Sequence, residues 1–280
     1  MTLEELLLAL WDWGTPWLLV GLIGALIEYA WGFALSRSPV SEVRGRGYAH
    51  MQEALGSFAA VGFFFLCASA VASAITLPSA EYPSKALVTL KLAMERYAKW
   101  LTDLAALEKD LTLTFLLSPL VSVLTASAAL ARMTMQYLLY VSAALYAVLD
   151  VLWNKGAGRL MVAVGSGLLC IPRLRRLGPY LIFSALAATA VACAAAPALY
   201  SVVENPHFRY APSLWNPWDL WSIAGTVTGD TMRAIFEDGK NAAFTAVGVS
   251  LGIGIAAPAT AAASAAAGGF AESIINRFRL

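Results

Sequence analysis

One carboxylate stands alone in the first long apolar run of this 280-residue chain: Glu28, eleven residues past Trp17. A carboxylate in hydrocarbon costs about 3 kcal/mol unless it is protonated, paired or facing water. Glu28 is therefore a candidate intramembrane polar site, for a proton relay or a pore lining; the structural alternative is a protonated Glu bonded to a neighbouring helix. Asp150, near the end of a later apolar run, can reach the interface and is weaker evidence. The two histidines, His50 and His207, fall at opposite membrane faces in the topology developed below, so they are not expected to share a site. Gly165-Ser166-Gly167 has the form of an intramembrane serine nucleophile but lacks a histidine in another span as base. No HExxH, P-loop or paired-acid motif occurs. Cys67, Cys170 and Cys193 lie far apart in apolar runs, without disulfide or metal-ligand spacing. The expectation is a protein that is not an enzyme, with no catalytic residue, no cofactor and no metal site.

The elements that carry these residues follow from composition. With 59% hydrophobic and only 13% charged residues, the chain has about half the charge of a soluble domain, in which roughly 25% of residues are charged. It reads as an all-α polytopic membrane bundle, one multi-pass domain over residues 1–280. Its net charge of +1 offers no global basic field for nucleic acid. No cleavable signal peptide is evident. Asn and Gln total seven, a scarcity that fits a thermophile and equally a buried membrane protein.

Crossing ~30 Å of hydrocarbon takes ~20 apolar residues. About seven spans are expected, near residues 17–35, 55–77, 111–131, 133–153, 156–171, 179–200 and 241–269. The fifth is short, although Gly156–Gly158 and a snorkelling Arg159 extend it. Only Arg132 separates the third from the fourth. Either the chain turns tightly there, or one helix ~63 Å long leaves the membrane.

Charge sets an orientation. With the N-terminus outside, the inner segments hold Arg37, Arg44, Arg46, Arg132, Arg173, Arg175, Arg176, Arg277 and Arg279, and almost no acids. Short cytoplasmic loops are Lys/Arg-rich, so a multi-pass plasma-membrane protein with its C-terminus in the cytoplasm is expected. Trp11, Trp13, Trp17, Trp215, Trp218 and Trp221 then gather near the outer interface. An even number of spans breaks this pattern.

Two outer segments have structure of their own. Over residues 84–110, Leu87, Leu90, Met94, Tyr97, Leu101 and Leu104 recur at heptad-like spacing, and Glu95–Lys99 and Lys99–Asp103 are i,i+4 pairs. This amphipathic helix either lies on the membrane or its own bundle, or docks another subunit through that stripe. Over residues 205–240, Asn216-Pro217 has the form of a helix start, and Trp218 and Trp221 share a face, as in an interfacial anchor. In the last run, Gly248 and Gly252 at GxxxG spacing suit close helix packing, within the bundle or between subunits.

The stretch GLLCIPRLRRLGPYLIF, residues 167–183, concentrates Arg173, Arg175 and Arg176 between two apolar runs. Topogenic charge is a sufficient reason for them. The order of Gly, Leu-Leu, Pro-Arg, Arg, Gly and aromatic-Leu-Ile also resembles the archaeal CedA membrane proteins, DNA-import components similar to the polytopic VirB/TrbL-type inner-membrane subunit of type IV secretion and conjugation systems. The resemblance covers mainly residues 160–200 and the general layout. It implies a channel or platform subunit that works with a cytoplasmic ATPase and with pilin-like or small membrane partners to bring DNA across the membrane. Arginines at the inner mouth then meet either phosphates or an acidic ATPase surface. The alternatives are an ion- or proton-coupled small-solute transporter using Glu28, and a non-conducting scaffold. A homo-oligomer is compatible with each.

Overall fold

The computed structural model describes residues 5, 14–74, 81–113, 118–171, 174, 177–210 and 229–278. Among them the regular structure is entirely helical: α1 (Gly14–Ser36), α2 (Ser41–Ala74), α3 (Pro83–Leu113), α4 (Ser118–Leu149), a π-helical turn (Asp150–Asn154), α5 (Ala157–Leu169), α6 (Leu177–Glu204) and α7 (Asp230–Phe278). Stretches of α1, α4, α6 and α7 are long and apolar enough to cross a membrane. The chain is a helical membrane protein, with four such helices among the described residues where about seven spans are expected from the sequence.

The difference has physical causes. The runs at 111–131 and 133–153 are not a hairpin, because α4 passes through Arg132 without a break. Neither Gly nor Pro occurs between Leu120 and Leu149 to end it, and the Arg132 guanidinium is paired with the Glu108 carboxylate of α3. The run at 156–171 forms α5, whose 13 residues reach only ~20 Å. The expected span 55–77 is the C-terminal part of α2 as far as Ala74. The amphipathic segment 84–110 forms α3, extended to Leu113. Of the segment 205–240, residues 211–228, with Trp215, Asn216, Pro217, Trp218 and Trp221, lie outside the described residues.

The chain divides into two compact units. The first, residues 1–80, 149–191 and 254–280, contains α1, α2, the π turn, α5 and the start of α6. α1 is apolar all round except for Glu28, and it packs against both α2 and α5. It ends where Ser38 precedes Pro39, a residue pair that disfavours helix. Leu18, Phe64, Val162, Leu169, Ile182 and Leu186 form the core, with Phe64 and Phe183 edge to face at 5.6 Å. The buried Ser57 hydroxyl donates to the Cys170 carbonyl at 2.9 Å, tying α2 to the end of α5. Gly156, at φ +74°, takes a left-handed conformation that lets α5 start directly after the π turn.

The second unit comprises residues 81–148 and 192–253. Leu90, Tyr97, Leu104 and Leu111 of α3 are buried, as are Leu124, Met135 and Leu138 of α4. Pro197, within α6, has no N–H for the carbonyl of Cys193 four residues back. That carbonyl instead accepts the Glu81 N–H at 3.2 Å. At the C-terminal end of α6, Arg96 donates to the carbonyls of Glu204 (2.7 Å) and Val203 (3.2 Å), which the helix cannot itself satisfy.

Candidate functional site at the crossing of α1 and α2

Glu28 is not alone once the chain folds. α1 and α2 form a helical hairpin around the Ser38-Pro39 turn, and Glu28 and His50 lie nearly equidistant from that turn. One helical turn beyond Glu28, the hairpin closes to backbone contact. A Cβ on Gly32 would lie 2.7 Å from the Gly47 carbonyl oxygen, and one on Gly47 would lie 2.5 Å from the Ser36 nitrogen. Only hydrogen fits there. The glycines thus set the distance across which Glu28 reaches α2.

His50 Nδ1 stands 3.4 Å from Glu28 Oε1, with both side chains half-buried. Glu53 is three residues further along α2 and so on the same face as His50. One ligand atom from each of Glu28, His50 and Glu53 lies within 4.8 Å of the other two. The three border a cleft of about 750 Å³ whose walls include Gly21, Gly24 and Ala25 of α1 and Gly167 and Leu168 of α5. Small side chains on the walls leave room for water or a ligand beside the polar cluster.

Such a set can relay a proton between imidazole and carboxylate, or bind a cation through one nitrogen and two carboxylates. Neither His50 nor Glu53 was identifiable from motif spacing, and a metal-ligand set was not expected. The usable signals were the i,i+3 spacing of His50 and Glu53 and the symmetry of Glu28 and His50 about the turn. His207 belongs to the other unit. Its Nδ1 and backbone N–H both contact the Asp238 carboxylate, at 2.9 and 3.0 Å.

The remaining candidates fall out differently. Leu87, Leu90, Tyr97 and Leu104 are buried, and Met94 and Leu101 are half-buried, inside the chain. Their stripe is consumed by the chain's own packing, which corrects its reading as a subunit-contact surface. Tyr97 reinforces this by donating to the Leu199 carbonyl at 2.7 Å, and burial pushes its phenol well above the usual tyrosine range. Gly248 and Gly252, by contrast, have nothing within 4 Å of an added Cβ. Arg173, Arg175 and Arg176 lie outside the described residues. Ser166 is buried and donates to its own helix at Val162 O, 2.7 Å away, while Gly165 is pressed against the Gly178 carbonyl. Asp150 accepts from Asn154 Nδ2 at 2.8 Å and lies 3.8 Å from the Lys155 ammonium. Cys170 and Cys193 are buried thiols.

No protein-family model, no curated protein and no solved structure matches the chain.

Proposed function

We propose that the chain is a channel or platform subunit of a multi-component machine that moves DNA across the cell membrane, with a structural role and no catalysis. The observation that carries this reading is the open face of α7. Phe244, Val247 and Leu251 stand exposed on it, beside Gly248 and Gly252, where an added Cβ meets nothing. A groove of small residues between large apolar ones suits the close approach of another helix better than lipid chains. The occupant is another membrane subunit, either a copy of this chain or a small pilin-like protein. The resemblance of residues 160–200 to DNA-import membrane proteins names the machine. With no nucleotide-binding motif in the chain, a cytoplasmic ATPase supplies the energy, docking near Arg173, Arg175 and Arg176. Arg37, Arg44 and Arg46 directly after α1 favour an outside N-terminus.

The test is affinity purification of a mildly solubilised, tagged copy from native cells. Recovery of a secretion-type ATPase with small membrane proteins is expected, and Gly248→Leu with Gly252→Leu should lose those partners while still inserting in the membrane. A monodisperse preparation of this chain alone overturns the reading.

The pairing of Glu28 with His50 favours a second reading, an ion- or proton-coupled solute transporter. It predicts uptake by the isolated protein in vesicles, and loss of that uptake in Glu28→Gln.

A further inference from the structure

We infer that Glu28, His50 and Glu53 form a binding site for a divalent first-row transition cation that bridges α1 and α2. Two ligands of one tetrahedral ion, each ~2.1 Å from it, stand about 3.4 Å apart, and His50 Nδ1 and Glu28 Oε1 are 3.4 Å apart. That separation is long for a good hydrogen bond and right for two atoms sharing a metal. Glu53 completes the set, all three atoms lying within 4.8 Å, so a side-chain adjustment of about 1 Å brings its oxygen into range.

Charge supports a cation. Among the described residues no Lys or Arg pairs with Glu28 or Glu53. The basic groups near the turn are engaged elsewhere: Arg37 over the Phe33 ring at 4.5 Å, Arg44 on the Ser38 carbonyl and Arg46 on Glu42. Two carboxylates and one imidazole, a harder set than thiolates and with one borderline nitrogen, suit Zn²⁺, Mn²⁺ or Fe²⁺ better than a soft ion. The set is also held in place. Gly32 and Gly47 lock the helix crossing one turn away, so little rearrangement precedes binding. Three protein ligands leave coordination positions free, and the cleft beside them supplies the space for water or an anionic group.

The inference rests on neither functional reading, because it is tested on the purified chain without partners or transport. The full-length protein, carrying no histidine tag and stripped with a chelator, is titrated in detergent with Co²⁺, whose visible d–d bands report the ligand field. One Co²⁺ per chain is expected, displaced by Zn²⁺, with at least a tenfold loss of affinity in His50→Ala and in Glu53→Gln. Zn²⁺ should raise the thermal midpoint of the wild type and not of these variants. Glu53→Gln is the safer variant, since it keeps the size of the side chain and the Glu53 bond given among the described residues is made by its backbone carbonyl, to Ser57. His207→Ala, which alters the other histidine and its neighbour Glu237, should bind Co²⁺ as the wild type does. Absence of the bands, or bands unchanged in Glu53→Gln, overturns the inference.

Discussion

Gly32 and Gly47 meet across the α1–α2 hairpin so closely that a Cβ on Gly47 would sit 2.6 Å from the Gly32 carbonyl oxygen. The contact is backbone on backbone, so no side-chain movement can relieve an added group. Gly47→Leu should therefore destabilise the protein by about 3 kcal/mol, at the upper end of overpacking penalties. It should also weaken any property that depends on Glu28 facing His50. Gly45→Ala, where a Cβ meets nothing within 4 Å, should be neutral or stabilising by up to about 1 kcal/mol from helix propensity alone. Thermal unfolding of both variants in the same detergent measures the contrast.

Asp238 is a buried carboxylate on α7 that accepts from Trp100 Nε1, from the backbone N–H groups of His207 and Phe208, and sits against His207 Nδ1, all within 3.0 Å. It fixes the chain after α6 to α3 and α7 at once. Asp238→Ala strands several donors and should cost about 3 kcal/mol, whereas Trp100→Phe removes one bond and should cost about 1 kcal/mol. Denaturant unfolding of the singles and the double should show non-additivity, because both changes remove the same bond.

Continuity of α4 through Arg132 is measurable as a length. Spin labels at the exposed positions Val123 and Val148 should stand about 38 Å apart along an unbroken helix. A hairpin at residues 131–133 would bring them below about 20 Å. Glu108→Gln should leave that distance unchanged and lower stability, since it uncouples the guanidinium of Arg132 without introducing a helix breaker.

The Tyr210 hydroxyl donates to Asp110 Oδ2 at 2.5 Å. Burial first, then this bond and the neighbouring negative charge, push its phenol up from 10.0 to about 12. The folded state thus favours the neutral phenol. Its contribution is complete below pH 10 and is lost as pH rises through about 12. Absorbance titration of tyrosinate should reveal a late-ionising group that disappears in Tyr210→Phe, and that variant should lose the corresponding part of the alkaline transition.

Much of the architecture was legible in the residues because one physical quantity carries it. Scarcity of charge calls for helices that can cross a membrane, and the heptad-like period of Leu87, Leu90, Tyr97 and Leu104 calls for a helix with one buried face; the described residues contain four helices of the first kind, and α3 is of the second. A period reports that a face must be covered, but not by what. The cover turned out to be the chain itself, and the stripe was spent on its own core.

The residues by themselves determined that Glu28 is out of place in an apolar helix and needs compensation. Tertiary structure decided what compensates it. His50 comes from the next helix, its Nδ1 3.4 Å from Glu28 Oε1, at a distance set by two glycines whose role is invisible until their backbones meet. The same holds for Arg132: hydropathy marks a charge between two apolar runs, and only packing supplies Glu108 to pair it and so lets one helix run through. Local pattern fixes which groups are costly to bury. Partners brought together from distant positions determine whether that cost is met, and with it whether the chain turns, breaks or continues.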